Sequence, residues 1–240
     1  MLYSELQCSE AIHKAVERMG FAEMTEIQEK TIPVMLAGRD VIAKAPTGTG
    51  KTMAFGIPII ERIDPDSEDV QAVILAPTRE LAMQITDEMR QIAVCHEGVR
   101  LVCLYGGQPI AKQINVLKRR PQIVVATPGR LSDHMKRRTV TLGQVQTVVL
   151  DEADRMLDMG FVHDVKKVIA KLPAKRQNLM FSATMPKEIE QLAAGILHDP
   201  AFVKVDPVSS TVERIDQSLY FVEKGNKKFL LPWLIKNLRP

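Results

Sequence analysis

A short apolar run, a glycine-rich turn and a helix-forming segment follow one another in the stretch Val41-Ile42-Ala43-Lys44-Ala45-Pro46-Thr47-Gly48-Thr49-Gly50-Lys51-Thr52. This order predicts a buried strand, a loop and the first turn of a helix. Gly48 and Gly50 allow torsions that turn successive N–H groups inward, and the helix N-terminus adds partial positive charge. The stretch therefore predicts a phosphate-binding loop, in which Lys51 reaches the outer phosphates and the Thr52 hydroxyl holds Mg²⁺.

A second polar segment, Asp151-Glu152-Ala153-Asp154, directly follows the apolar run 147–150. Carboxylates after a strand are also common at the N-cap and first turn of a helix, so the segment alone would decide little. In a parallel sheet, ligands gather at the carboxyl ends of the strands, where the phosphate loop also lies. We therefore expect the two segments to converge, with Asp151 holding Mg²⁺ through bound water and Glu152 orienting or deprotonating an attacking water. Lys51, Asp151 and Glu152 form the predicted catalytic set.

The apolar runs along the chain alternate with longer helix-capable stretches. The clearest helical stretches are 79–95 and 161–172, and the runs lie at 41–45, 72–76, 101–105, 123–126, 147–150 and 179–181. This alternation predicts an α/β fold whose mostly parallel sheet is covered by helices on both faces.

The composition fits one well-packed domain with an appendage. The chain has 240 residues, of which 45% are hydrophobic, and this is enough for one good core. The formal charge of +3 is carried by residues 211–240, where six basic residues face three acidic ones, so residues 1–210 are neutral. The affinity of that neutral part for a nucleic acid should be weak and salt-dependent. We interpret the basic runs 118–120 and 136–138 as solvated helix ends.

The cysteines and the hydropathy pattern indicate the cellular compartment in which we expect the protein. Cys8, Cys95 and Cys103 are widely spaced and form no C-x-x-C pair, which indicates a reducing compartment and not a disulfide framework or zinc site. No stretch approaches the roughly 18 apolar residues of a membrane span, and the N-terminus has no signal-like segment. We expect a soluble, cytoplasmic protein.

Seven segments, in the correct order, resemble the motifs of the DEAD-box family of ATP-dependent RNA helicases, in its bacterial type. Gly20-Phe21 and Met24-Thr25-Glu26-Ile27-Gln28 resemble the family's Q motif, and Tyr3 stands where the family usually has a phenylalanine. Residues 45–52 match the family's own form of the phosphate loop, which explains alanine instead of glycine at its first position. Met24 replaces a common proline and Tyr3 keeps a flat aromatic face, so neither change removes the expected adenine recognition.

The resemblance implies that the chain binds ATP and Mg²⁺, and it gives roles to individual residues. Gln28 would read the adenine edge, because a carboxamide can pair with both the N6 donor and the N7 acceptor of adenine. Tyr3 and Phe21 would lie at the base. The other nucleotide contacts would come from Thr47, Gly48, Thr49, Gly50, Lys51 and Thr52.

Three further segments resemble the family's RNA-contacting motifs, and a fourth resembles its coupling motif. Arg79 and Arg130 would bind phosphate, and few aromatic side chains lie near them, so the RNA contacts should be to the backbone and independent of sequence. Ser182 and Thr184 would link Asp154 to domain closure by hydrogen bonds, although Ser-Ala-Thr at a strand end is also ordinary turn chemistry. The implied RNA contacts are Pro77, Thr78, Arg79, Gly106, Gly107, Thr127, Pro128, Gly129 and Arg130.

The resemblance also implies a domain organisation. Residues 1–206 would form an N-terminal RecA-like ATP-binding domain with the Q motif in about residues 1–29, residues 207–214 a linker, and residues 215–240 the truncated start of a second RecA-like domain. The pattern predicts helices at 187–197 and 227–238 and strands at 202–205 and 215–222. The rest of the C-terminal domain would supply an arginine of a kind worth ~10³–10⁵ in turnover, so this chain should bind nucleotide but hydrolyse it poorly.

Three other functions share parts of this pattern. A GTPase should carry an N-K-x-D segment, but Asn226-Lys227 is followed by Lys228-Phe229. A DNA helicase or translocase of the same superfamily would not be expected to combine this Q motif with Asp154. A non-catalytic ATP-binding scaffold stays open, and the preference for RNA over DNA rests on the resemblance alone.

Overall fold

A computed structural model describes residues 1–206 and 218–238. Contacts within the chain divide it into Met1–Asp206 and Pro207–Pro240, and each unit is considered by itself. The first unit contains a seven-stranded sheet with the order β3-β4-β2-β5-β6-β1-β7. All neighbouring strands pair in parallel. The strands are β1 Val41–Lys44, β2 Ala72–Leu75, β3 Leu101–Leu104, β4 Ile123–Ala126, β5 Thr147–Leu150, β6 Gln177–Ser182 and β7 Ala201–Lys204.

Helices connect the strands and cover the sheet. In the first unit they are α1 Glu10–Arg18, α2 Glu26–Leu36, α3 Lys51–Arg62, α4 Arg79–Ile92, α5 Ile110–Leu117, α6 Pro128–Lys136, α7 Ala153–Asp158, α8 Val162–Ile169 and α9 Lys187–Ala194. The predicted helices 79–95, 161–172 and 187–197 are therefore present but shorter. After α4 the chain continues as a short 3₁₀ turn, Ala93–Cys95, which covers the end of the predicted helix 79–95.

Two hydrophobic cores lie on opposite faces of the sheet. Val149 belongs to the first core, which contains Phe55 and Phe181, whose ring centroids are 5.4 Å apart. Its neighbours Val148 and Leu150 belong to the second core. Because successive side chains of a strand point to opposite faces, both faces of β5 are buried, and this is why its sequence is continuously apolar. The predicted α/β fold, with a parallel sheet between two helical layers, is confirmed.

Strand β6 begins two residues before the apolar run that predicted it, at Gln177 and Asn178. The side chain of Gln177 donates to the carbonyls of Met35 and Arg39 at 2.9 and 2.7 Å. The backbone N–H and the side-chain amide of Asn178 donate to the carboxylate of buried Asp40, at 2.7 and 2.9 Å. Hydropathy missed these positions because their polar groups are satisfied inside the protein.

The second unit is described from Ser218 to Leu238. The predicted helix is present as α10, Lys227–Leu238, preceded by a 3₁₀ turn at Lys224–Asn226. For the predicted strand 215–222, residues 215–217 lie outside the described residues, as does the linker 207–214, and residues 218–222 have no regular secondary structure. Strand hydrogen bonds need a neighbouring strand, and residues 218–238 contain none. Within the described ranges, no helix has the length and apolar character needed to cross a membrane.

Candidate functional site

The phosphate loop joins the carboxyl end of β1 to the N-terminus of α3, as the sequence predicts. Gly48 and Gly50 have φ of +84° and +87°, in the region that favours glycine. A Cβ atom on Gly50 would also lie 2.4 Å from Nε2 of Gln28, whereas one on Gly48 would meet nothing within 4 Å. The Thr49 hydroxyl donates to the Pro46 carbonyl at 2.9 Å. Torsion and packing therefore both require glycine at position 50, and torsion alone at position 48.

Lys51 and Asp151, a hundred residues apart in sequence, come together behind this loop. Lys51 opens α3, and its ammonium lies 3.8 Å from Asp151 Oδ1 and 3.4 Å from the Ala45 carbonyl. Both side chains are buried. Thr52 is the next residue of α3 and is partly buried. The predicted convergence of the phosphate loop with the acidic segment is thus present in the structure.

Asp151 is a carboxylate in an unfavourable environment. Burial raises its pKa from the ordinary 3.8 to about 6; Lys51 opposes this shift, and the neighbouring Glu152 carboxylate adds to it. The Glu152 N–H donates to Asp151 Oδ1 at 3.0 Å. A charge buried this way is stabilised by any cation that approaches it. An oxygen ligand of this kind suits Mg²⁺.

Glu152 is held in place from two sides. Its backbone is left-handed, with φ +50° and ψ +52°, an uncommon conformation for a residue other than glycine. One carboxylate oxygen accepts from Arg155 Nη1 at 2.7 Å, and the other accepts from the Thr47 hydroxyl at 3.3 Å. Arg155 was not among the predicted site residues, although its position three residues after Glu152 is the spacing of side-chain pairs on a helix.

Gln28 connects the segment before α2 to the phosphate loop. Its Oε1 accepts from the Thr25 N–H at 2.8 Å and from the Tyr3 hydroxyl at 2.7 Å, and its Nε2 donates to the Gly50 carbonyl at 3.1 Å. Only 3% of Gln28 is exposed. The Thr25 hydroxyl adds a bond to the Thr49 carbonyl at 2.8 Å. The side chain predicted to read adenine therefore also supports the loop.

The two aromatic residues predicted at the base differ in their exposure. Tyr3 is buried, and burial raises its pKa to about 12. Phe21 is about half exposed, at 49%. The ring of Phe21 is therefore accessible to a ligand, whereas Tyr3 is packed into the core and directs its hydroxyl at Gln28.

Asp154, Ser182 and Thr184 form the hydrogen-bonded link that the sequence predicts. Asp154 Oδ2 accepts from the N–H and the hydroxyl of Thr184 at 2.9 and 2.8 Å. Its own N–H donates to Ser182 Oγ at 3.2 Å. Burial favours a higher pKa for Asp154, but the hydrogen bonds from Thr184 and Ser182 outweigh it and the pKa is lowered. The Ser182 carbonyl accepts from the Ala45 N–H at 3.0 Å, which ties this link to the phosphate loop.

The three predicted RNA-contacting segments follow β2, β3 and β4, which are neighbours in the sheet. Arg79 is exposed, and its guanidinium lies 4.9 Å from the centre of the Tyr105 ring. It also passes beside Gly107, where a Cβ atom would be 3.8 Å from its Nη1. Pro77 is buried and Thr78 caps α4 by accepting from the Leu81 N–H at 3.2 Å. Gly106 has open space around it.

The third segment, Thr127 to Arg130, opens α6, with Pro128 in the first turn. Arg130 is partly buried and is engaged inside the protein: its Nη1 donates to the Gln108 carbonyl at 2.9 Å and to Gln113 Oε1 at 3.2 Å. Gly129 lies near Asp164 Oδ2, which would be 3.7 Å from a Cβ atom.

A buried polar network that was not predicted from the sequence holds these loops together. Gln113 Nε2 donates to the Tyr105 carbonyl and to Gln108 Oε1, both at 2.9 Å. Gln113 Oε1 is also 3.0 Å from Nε2 of His134. Burial lowers the pKa of His134, and the Arg130 charge lowers it further. Gln113 lies on α5, and Arg130 and His134 lie on α6. Helical periodicity predicts which face of a helix is buried but not the partner of a polar side chain on that face.

Comparison with known proteins identifies the family. A DEAD/DEAH box helicase model matches residues 25–192. The chain is 49% identical over 227 residues to the DEAD-box ATP-dependent RNA helicase CshA of Bacillus licheniformis, covering 95% of this chain and 46% of that protein. It is 49% identical over 226 residues to CshA of Geobacillus kaustophilus, covering 94% of this chain and 48% of that protein. The chain thus spans about half the length of the curated relatives it matches.

Solved structures agree with this assignment. The crystal structure of a DEAD box protein from Methanococcus jannaschii superposes with a TM-score of 0.82 at 39% identity, covering 99% of this chain and 64% of that chain. A hypothetical ATP-dependent RNA helicase from Sulfolobus tokodaii gives a TM-score of 0.76 at 38% identity, covering 82% of this chain and 57% of that chain. The family model, the relatives and the fold agree: this chain belongs to the DEAD/DEAH box helicase family.

Proposed function

We propose that this chain is the N-terminal RecA-like domain of an ATP-dependent RNA helicase, a hydrolase that couples ATP hydrolysis to local unwinding of RNA. The observation that carries the proposal is the convergence of Lys51, Asp151 and Glu152 behind a loop whose two glycines adopt left-handed torsions, which can turn backbone N–H groups inward. Basic, acidic and N–H groups in this arrangement suit the phosphates and the metal of a nucleoside triphosphate.

Mg²⁺ would be held by the Thr52 hydroxyl and, partly through water, by Asp151. The raised pKa of Asp151 supports this role, because its buried charge is only partly balanced by Lys51. Bound there, the ion would neutralise charge on the phosphates. Lys51 would contact the outer phosphates, and Glu152, positioned by Arg155 and Thr47, would orient or deprotonate the attacking water.

Adenine would bind between Phe21 and Gln28. The existing hydrogen bonds of Gln28 limit which of its amide atoms can contact the base. One hydrogen of Nε2 is committed to Gly50, and the other can reach N7, which both purines share. Selection of adenine requires Oε1 to accept from N6, and Oε1 already accepts from Thr25 and Tyr3. The Tyr3 hydroxyl would have to share this oxygen or give it up when adenine binds.

RNA would be bound along the loops after β2, β3 and β4 through its sugar–phosphate backbone. Arg79 is the exposed cation of this surface, whereas Arg130 is tied to Gln108 and Gln113 and would act mainly by shaping it. The contacts proposed are those of Pro77, Thr78, Arg79, Gly106, Gly107, Thr127, Pro128, Gly129 and Arg130. Backbone contacts of this kind carry no sequence information.

Efficient ATP hydrolysis and its coupling to RNA unwinding would need a second RecA-like domain. We propose residues 1–206 as the first domain, 207–214 as a linker and 215–240 as the start of the second, with Asp154, Ser182 and Thr184 transmitting closure to the nucleotide. On this basis the chain binds Mg-ATP but hydrolyses it slowly. Cys8, Cys95 and Cys103 are free thiols, which supports a reducing compartment such as the cytoplasm.

The test is a Mg²⁺-dependent titration with ADP and GDP of the unmodified chain, Gln28→Ala and Tyr3→Phe. We expect a preference for ADP that collapses in Gln28→Ala and increases in Tyr3→Phe, which frees Oε1 and keeps the ring. If Gln28→Ala lowers both affinities equally and keeps their ratio, Gln28 only supports the loop and the adenine assignment fails. Equal binding of ADP and GDP by the unmodified chain would remove the ATP assignment.

A further inference from the structure

A cavity lies near the amino ends of the strands, away from the phosphate loop and the rest of the site described above. It has a volume of about 430 Å³ and lies between the C-terminal ends of α6 and α8 and the segment that leads into β5. Helices α6 and α8 pack against each other. In a parallel α/β sheet each helix runs back toward the amino edge of the strands, so the ends of α6 and α8 lie away from the carboxyl edge that carries the phosphate loop.

The wall of the cavity is mostly apolar. Met135, Val140 and Leu142 supply the apolar surface, and Thr141 lies at its exposed margin. Ser132 also lines the cavity and is only 3% exposed; its Oγ is buried and has no hydrogen-bond partner within the described residues. A buried hydroxyl without a partner is costly, so stability alone does not explain a serine at this position.

The rim of the cavity is basic. Lys136 on α6, Lys167 on α8 and Lys171 just after α8 line it, and among them Lys167 contacts an acidic side chain, Asp164, at 3.1 Å. A lysine is favoured at the end of a helix by the helix dipole, which accounts for Lys136 and Lys167 but not for Lys171, which follows the end of α8. The dipole also does not explain an apolar cavity beneath the lysines or an unpaired buried hydroxyl in its wall.

We propose that this cavity is a docking site for an acidic peptide segment of a partner protein, which inserts one branched apolar side chain between α6 and α8. The three lysines would pair with carboxylates on either side of that side chain, and a rotamer change on binding would bring the Ser132 hydroxyl to a peptide group. RNA is the other polyanion that a basic rim could attract. It fits less well, because a sugar–phosphate backbone could pair with the lysines but would leave the apolar wall of Met135, Val140 and Leu142 without a partner.

The experiment uses the whole chain with ¹³C-labelled methionine methyl groups and four probes. The first probe is an acetylated peptide with a leucine pair between two glutamates on each side. The second has lysines in place of the glutamates, the third has serines in place of the leucines, and the fourth is a single-stranded polyuridine RNA. The chain has 12 methionines. Met135 reports on the cavity, and Met159, about half exposed elsewhere, reports non-specific adhesion.

We expect the acidic leucine peptide to shift the Met135 resonance and leave Met159 in place, while the serine peptide has no effect. Lys136→Glu with Lys171→Glu should weaken binding at least about tenfold. Lys112→Glu with Lys187→Glu is the matched control, because these lysines are exposed, lie outside the cavity and give the same change in net charge. Ser132→Ala should weaken binding about twofold to tenfold and leave the thermal midpoint unchanged or higher, since it removes an unpaired buried hydroxyl.

Three results would overturn the proposal. If the peptide with lysines binds as tightly as the acidic peptide, the cavity binds apolar side chains regardless of charge and the proposed role of the three lysines is wrong. If RNA shifts Met135 and the acidic peptide does not, this edge belongs to a nucleic-acid surface. If no probe shifts Met135 at millimolar concentration, the cavity is not a docking site. None of these outcomes depends on nucleotide binding, so the ADP titration tests the other proposal separately.

Discussion

The two halves of the carboxyl edge of the sheet are built differently. On the proposed nucleotide side, which comprises the phosphate loop, Gln28 and residues 151–154, the residues that the sequence singles out contact one another: Lys51 meets Asp151, and Gln28 meets Gly50. On the proposed RNA side, which comprises the loops after β2, β3 and β4, the singled-out residues are held by others. Arg130 is bonded to Gln108 and Gln113, and Arg79 lies over Tyr105.

This difference fits the function proposed for each half. A phosphate and a metal are small, and binding them requires charged groups packed closely in a buried space, where interactions are strong. A nucleic-acid backbone is long and solvated, so loops must be held at the right spacing while their cations stay accessible. We therefore expect substitutions on the nucleotide side to change stability together with binding. On the RNA side, stability should depend on the supporting network and binding on the exposed arginine.

The largest effect is expected from Asp151→Asn. The folded-state pKa of Asp151 is raised from 3.8 to about 6, so the folded protein binds more protons than the unfolded chain between these values and loses stability as the pH rises through that window. Above about pH 6 the buried charge costs up to about 3 kcal/mol. Asparagine does not ionise, so the variant should be more stable than the unmodified chain by up to that amount at pH 7, and equally stable near pH 4. It should also lose Mg²⁺-dependent nucleotide binding.

Urea unfolding at a series of pH values measures this difference. Glu152→Gln is the matched control, because it removes the neighbouring charge and leaves Asp151 able to ionise. A difference between Asp151→Asn and the unmodified chain that stays constant from pH 4 to pH 7 would contradict the assignment of the pH dependence to Asp151.

The next largest effect is expected from alanine substitutions at the two glycines of the phosphate loop. Gly50→Ala combines a left-handed torsion with a collision against the Gln28 carboxamide, so we expect it to cost about 2 to 3 kcal/mol and to prevent tight ADP binding. Gly48→Ala has the torsion but open space, and should cost about 1 kcal/mol. Thermal unfolding and ADP titration of both variants measure this. Equal losses would mean that the contact between Gln28 and the loop contributes nothing.

The sequence predicted the parallel sheet and the meeting of the phosphate loop with the acidic segment, because the signals for both are local. The strands β1 and β5 are short apolar runs, the glycines follow β1 and the carboxylates follow β5, and parallel topology brings both loops to one edge. It did not predict Arg155, Gln113 or His134, because their roles depend on which partner they meet. The two amides that begin β6 were missed for the same reason, since Asp40 and the end of α2 satisfy them.

On the RNA side, Gln113→Ala should affect stability more than any change at an exposed arginine. Gln113 is buried and bonds to the Tyr105 carbonyl, Gln108, Arg130 and His134. Alanine would leave these partners unsatisfied, at a cost of about 2 kcal/mol. Gln84→Ala is the control, because Gln84 is exposed and its side chain bonds to Glu88, and it should change stability by less than about 0.5 kcal/mol. Similar losses for both would mean that water replaces the bonds of Gln113.

Arg79→Ala is expected to have the smallest effect on stability and the clearest effect on RNA binding. Its side chain is exposed and stacks on Tyr105, so its removal should cost less than about 0.5 kcal/mol in unfolding. If Arg79 binds a phosphate, the variant should bind single-stranded RNA more weakly, and the dependence of log affinity on log salt should become shallower by about 1. Arg90→Ala is the control, because Arg90 lies on the same helix and pairs with Asp87. An unchanged salt dependence in Arg79→Ala would contradict a phosphate contact by Arg79. The loops after β3 and β4 would then bind RNA through their backbone alone.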